Sequence, residues 1–80
     1  MNKRLYSTNA LTPKELEVLF AIVEKGIFDT NSLAKKLCIT SSTVRTHLQS
    51  IYAKFQVTSK AELVYRYYNE KQIQSNKNNN

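Results

Sequence analysis

The chain has 80 residues, 41% of them hydrophobic, and 12 Lys and Arg against 6 Asp and Glu, a net charge of +6. That length holds one domain at most, which buries only about 60% of the surface its unfolded chain exposes and has no room for a deep substrate cleft beside a core. No apolar run approaches the roughly 20 residues of a membrane span, no apolar block follows the basic Met1–Arg4, and the single cysteine, Cys38, excludes an internal disulfide or a zinc site and favours a reducing, intracellular setting.

Residues 1–10 are polar, without a strong period, and read as a flexible arm. Thr12-Pro13-Lys14-Glu15 is a helix start. Thr12 is the N-cap, Pro13 takes the first helical position, and Glu15 completes a capping box. Leu16, Leu19, Phe20 and Val23 recur at helical spacing, and Lys25-Gly26-Ile27 is a stop in which Gly26 takes a left-handed conformation and Ile27 folds back. The first helix is predicted over 13–25. Asp29 or Thr30 caps a second, over 30–38, with Leu33, Ala34 and Leu37 inward and Lys35 and Lys36 outward.

Thr40 caps a third helix over 41–55. Val44, Leu48, Ile51 and Phe55 fall in one narrow arc, which is its core stripe. Val57 is an apolar plug. Ser59-Lys60-Ala61-Glu62 reads as a second capping box, opening a fourth helix over 60–70. That helix has two apolar patches, Leu63, Val64 and Tyr67 on one and Ala61, Tyr65 and Tyr68 on the other, whereas a single-sided core needs one. Residues 71–80 read as a disordered polar tail. The expected fold is all-α: a small four-helix domain over 11–70 with no strand.

Helix two, the short Cys38-Ile39-Thr40 link and helix three form a helix-turn-helix pattern. With its core stripe inward, helix three turns Ser42, Arg45, Thr46, Gln49 and Ala53 outward. No acid occurs between Asp29 and Glu62, while Lys35, Lys36, Arg45, Lys54 and Lys60 fall inside that stretch. The remaining acids sit mostly on the first helix, at Glu15, Glu17 and Glu24, so one side of the molecule is expected to be electropositive. Ser41, Ser42 and Thr43 put hydroxyls at the helix N-terminus, where free N–H groups and the positive dipole end suit a phosphate. Arg45 has the fork for guanine O6 and N7, and Gln49 the amide for adenine N6 and N7. An acid on this face would meet phosphate.

Less specific readings stand beside these. Thr43 serves equally as a cap, Lys54 and Lys60 as idle surface charges, and Cys38 as a small packed residue. His47, on the flank of helix three, has no second ligand nearby and reads as a packed or phosphate-facing histidine, not a metal site. The tyrosines at 65, 67 and 68 suit a protein contact better than base stacking.

The words "LTPKELEVL", "LAKKLCITSSTVRTHLQSIYAKFQV" and "SKAELV" resemble the LuxR/GerE-type helix-turn-helix domain over residues 11–68. That resemblance implies a sequence-specific regulator of transcription, dimeric on a pseudo-palindromic duplex DNA site, with the third helix in the major groove. It carries base reading to Arg45, Thr46 and Gln49, the residues that the helical wheel selects independently. Phosphate contacts fall on Ser42, Thr43, His47, Lys54 and Lys60, joined by Ser41, Lys35 and the second-helix residues Thr30 and Asn31. The dimer surface falls on Ala61, Tyr65 and Tyr68. Ser32, where a glutamate is common, and Phe55-Gln56 depart from the family pattern. Starting at Met1 without an attached module, the chain resembles the free-standing members, with a cytoplasmic, nucleoid-associated setting and RNA polymerase as a further partner. Neither a cofactor nor a small-molecule ligand is expected. A promoter reader like the fourth region of a sigma factor and a helical adaptor for an acidic protein are the alternatives. Enzymatic activity is not expected: no paired carboxylates, no nucleophile beside a base and no glycine loop are found, Gly26 being the only glycine.

Overall fold

The structure, a computed structural model, describes residues 10–79, with side chains described as far as Glu70. Among the described residues there are four helices and no strand: α1 (Pro13–Val23), α2 (Thr30–Leu37), α3 (Ser41–Phe55) and α4 (Lys60–Asn79). None of them is long and apolar enough to cross a membrane.

Local chemistry sets the starts. Thr12 Oγ1 accepts the Glu15 N–H at 3.2 Å, and Glu15 Oε1 accepts the Thr12 N–H at 3.0 Å, so the expected capping box is complete. Asp29, rather than Thr30, caps α2 by accepting the Ser32 N–H at 2.9 Å. Thr40 caps α3 through the Thr43 N–H at 3.1 Å. Ser59 accepts the Glu62 N–H, but the expected reciprocal bond is absent: Glu62 Oε1 takes the Thr58 N–H at 2.7 Å instead of that of Ser59. Glu62 thus ties the chain one residue ahead of the cap.

The stops share one device. Gly26 (φ 71°), Cys38 (φ 59°) and Gln56 (φ 59°) are left-handed, and the residue after each folds back. Ile39 N–H reaches the Ala34 carbonyl at 3.0 Å and Val57 N–H reaches that of Tyr52 at 2.9 Å, the longer bonds of Schellman motifs. Ile27 N–H closes a wider loop onto Ala21, also at 3.0 Å. Ile27 and Ile39 then pack against the core and Val57 enters it, so each stop also contributes an apolar side chain. α1 ends at Val23, shorter than expected, because the Lys25 N–H also goes to the Phe20 carbonyl and leaves that of Ala21 to Ile27. α4 runs to Asn79, past the end expected at 70; no Gly or Pro interrupts it. The arm at 1–9 and the side chains of 71–80 lie outside the described residues.

The core joins Val18, Leu19 and Ile22 of α1, Leu33 of α2, Val44, Leu48, Ile51 and Phe55 of α3, and Leu63 and Tyr67 of α4. Each large apolar side chain buried there contributes about 1.5–3 kcal/mol relative to exposure. The stripes of α2 and α3 match expectation, with Leu37 half-buried. α1 does not. Its buried arc includes Glu15, Val18, Ala21 and Ile22, while Phe20 is exposed and Leu16 half-buried. The difference has a physical cause: α1 is apolar nearly all round, and the three other helices pack against it, so periodicity alone leaves its rotation ambiguous.

Glu15, only 6% exposed, is the one buried charged residue among those described. Its Oε2 accepts the Ser50 hydroxyl at 2.6 Å, and its Oε1 accepts the Lys54 ammonium at 2.8 Å. Burial raises the carboxyl pKa, but the bonds from Lys54, Ser50 and the Thr12 N–H, together with the Lys54 charge, outweigh it and hold the pKa at about 2. A carboxyl whose folded pKa lies below its ordinary 4.5 stabilises the fold above that pH and loses the contribution as pH falls through the folded value.

Glu15→Gln should therefore lose about 3 kcal/mol at pH 7 and flatten the fall in stability between pH 4.5 and 2, measured by urea unfolding across that range. A residual slope will remain from Asp29 and Glu62, whose carboxyls are lowered chiefly by the Ser32 and Thr58 N–H groups they accept. A variant whose acid limb matches that of the parent protein would refute the assignment. Gln56→Gly should raise the unfolding free energy by about 0.5–1 kcal/mol, read as a higher urea midpoint, since a left-handed conformation strains any residue with a Cβ.

Candidate nucleic-acid interface

Burial of Val44, Leu48, Ile51 and Phe55 leaves the opposite side of α3 in solvent. Ser42, Arg45, Thr46, Gln49 and Ala53 are all exposed. Among the described residues neither the Arg45 nor the Gln49 side chain has a hydrogen-bond partner, so their donors and acceptors are available to a ligand. Thr46 differs: its hydroxyl donates to the Ser42 carbonyl at 3.2 Å. What it presents outward is a methyl and a remaining acceptor, a surface suited to a thymine methyl more than to a donor-seeking base atom.

The flanks of α3 hold the groups expected at phosphates. Ser41 donates its hydroxyl to Asn31 Oδ1 at 2.8 Å, which pins the N-terminus of α3 beside that of α2. Thr43 and Thr40 share a hydroxyl hydrogen bond at 2.9 Å, so Thr43 sits in the capping group and keeps one bond for a ligand. Lys60, the first residue of α4, adds to the lowering of the Asp29 carboxyl, behind the larger effect of the Ser32 N–H. The Ser41–Asn31 bond brings the starts of α2 and α3 together, each with free N–H groups and the positive end of its dipole. Lys35 is exposed, and Thr30 and His47 are half-exposed.

Lys54, expected at a phosphate, is engaged within the chain. Its ammonium is turned inward onto Glu15 at 2.8 Å, in a bond that joins residues 39 apart in the chain. Glu15, in turn, does not contribute to an acidic surface as the sequence suggests, because its charge is buried and paired. Sequence reasoning gave Ser50 no role and missed this cluster. The signal was present in the acid at Glu15, at helical spacing from Val18, Leu19 and Ile22 and thus on a core-facing arc.

On α4, Leu63 and Tyr67 are buried, and Ala61, Tyr65 and Tyr68 are exposed on the other patch. Tyr65 is 71% exposed. Tyr68 is partly committed within the chain: its hydroxyl donates to the Val23 carbonyl at 2.6 Å, and its ring meets that of Tyr67 edge-on at 5.1 Å. Tyr67 donates to Glu24, and burial together with that bond pushes its pKa up to about 12. Both tyrosines thus grip the end of α1.

Comparison with known proteins agrees with this geometry. The family described as bacterial regulatory proteins, luxR family, matches residues 9–67. The transcriptional activator protein ExaE of Pseudomonas putida is 44% identical over 69% of this chain and 25% of its own length. The monoamine regulon transcriptional regulator of Klebsiella aerogenes is 43% identical over 70% of this chain and 24% of its own. The chain thus spans about a quarter of the length of these curated relatives. No solved structure matches it at the same stringency. With a family match across residues 9–67 and the expected helices in the expected order, the chain belongs to the luxR family of bacterial regulatory proteins, a family of transcription regulators and not of enzymes.

Proposed function

We propose that the chain binds duplex DNA as a homodimer on a pseudo-palindromic site, with α3 in the major groove. The observation that carries this reading is the solvent-facing Ser42-Arg45-Thr46-Gln49 surface, acid-free and backed by a fully buried stripe. Fifteen residues give α3 a length of about 22 Å, and an α-helix fits the B-DNA major groove. Arg45 would take a guanine edge, Gln49 an adenine edge and Thr46 a thymine methyl.

Phosphate contacts in this reading come from Ser41, Ser42, Thr43 and His47 on α3, Thr30, Asn31 and Lys35 on α2, and Lys60. The adjoining starts of α2 and α3 support it, since backbone N–H groups and positive dipole ends favour phosphate oxygens. Ala61 and Tyr65 form the centre of the dimer contact, with the outer edge of Tyr68 beside them. The exposure of Tyr65 supports that role, because a large aromatic left outside a small core is a recurrent interface anchor. The printed names of the relatives, a transcriptional activator and a regulon regulator, favour a role in controlling transcription, with RNA polymerase as the further partner.

Titration of duplexes selected from a random pool checks the reading. If a dimer neutralises about 8 phosphates, log K should fall against log salt with a slope near −7. Arg45→Ala should weaken the selected site by about 1–3 kcal/mol and relax one base position in each half-site. Unaltered base preference would remove Arg45 from the reading set, and absence of duplex binding at low salt would reject the function. Tyr65→Glu should reduce the protein to a monomer in sedimentation and weaken the two-half-site duplex more than a single half-site.

A further inference from the structure

We infer that the Glu15–Ser50–Lys54 cluster is a positioning device that sets the rotation of α3 about its own axis, and that Lys54 serves DNA recognition through Glu15 instead of through a phosphate. This rests on the reading of α3 as the base-contacting helix.

The argument begins with what a hydrophobic stripe leaves unset. Val44, Leu48, Ile51 and Phe55 hold α3 against the core, but dispersion and burial are non-directional, and a small roll about the helix axis costs them little. Base recognition is not so tolerant. With a radius of about 5–6 Å including side chains, a roll of about 10° moves a side-chain tip by about 1 Å. Hydrogen bonds to base edges weaken over such a displacement.

Directional contacts on the flanks resist the roll. At 100° per residue, Ser50 and Lys54 lie roughly 110° from the centre of the core stripe and a similar angle from the Arg45-Thr46-Gln49 arc. They are spaced four residues apart on one ridge, and a single buried carboxylate accepts from both, at 2.6 Å and 2.8 Å. That carboxylate is itself held by the capping box of α1, through the Thr12 N–H at 3.0 Å. On the other side of the stripe, Ser41 bonds Asn31 of α2 at 2.8 Å. α3 is thus gripped from both flanks, and the α1 grip is the charge-assisted one, onto a buried carboxylate. A lysine kept for phosphate would instead stand free in solvent, as Lys35 and Lys36 do.

The test compares the parent protein with Lys54→Met, Glu15→Gln and Ser50→Ala, reading affinity for the selected duplex, affinity for an unrelated duplex, and the salt slope on the latter. Ser50→Ala keeps the ion pair and serves should the two charge variants fail to fold. A positioning role predicts that the ratio of the two affinities falls by about tenfold in the charge variants and less in Ser50→Ala, the size of one lost base contact, with the salt slope unchanged. A merely structural role lowers the active fraction and so both affinities together, leaving the ratio intact; that result overturns the inference. So does a salt slope shallower by about one in Lys54→Met with the ratio intact, which marks a phosphate ligand. Should the parent protein itself show no preference for any duplex, the DNA reading fails first, and the inference with it.

Discussion

Four side chains on one edge of α3, Val44, Leu48, Ile51 and Phe55, are almost completely withdrawn from water, and the arrangement of everything else follows from where they go. Their burial under α1, α2 and α4 orients the helix so that Arg45 and Gln49 stand in solvent with no partner among the described residues. The same helix is a core element and a display element, and the two roles occupy opposite arcs. A small domain has little alternative, because it buries too small a share of its surface to keep a display helix separate from its core.

The connections economise in the same way. Cys38 and Gln56 adopt left-handed conformations that a glycine would take with less strain, and the chain accepts this at two of its three stops. In return the following residues, Ile39 and Val57, fold onto the core, and their N–H groups close carbonyls left open by the helix end. The short turn between α2 and α3 is thus a packed unit. Together with the Ser41–Asn31 bond it fixes the start of α3 relative to α2.

Charge is distributed by placement as much as by number. The acid-free stretch between Asp29 and Glu62 leaves α3 with bases alone, and the burial of Glu15 then removes a negative charge from the surface. That carboxylate is not stranded, since Lys54, Ser50 and the Thr12 N–H satisfy it. Such a buried charge is costly to leave unpaired, which makes its three partners one unit instead of independent contacts. α4 closes the other end, where Tyr67 and Tyr68 hold the terminus of α1 through Glu24 and the Val23 carbonyl.

Much of this was legible from residues close together in the chain. Thr12 and Thr40 cap as read, Ser59 caps without the reciprocal bond, Gly26 is left-handed as read, and the spacing of Val44, Leu48, Ile51 and Phe55 assigns the inward and outward arcs of α3. Caps and helix faces depend on contacts within three or four positions, so local order carries them. The rotation of α1, the exposure of Phe20, the inward turn of Lys54 and the commitment of Tyr68 were not legible in this way. Each depends on what a distant element places beside the residue: the bond from Lys54 to Glu15 spans 39 positions and that from Tyr68 to Val23 spans 45. A lysine on a helix flank reads the same whether it meets solvent or a buried carboxylate, and only the packing of α1 against α3 supplies the carboxylate.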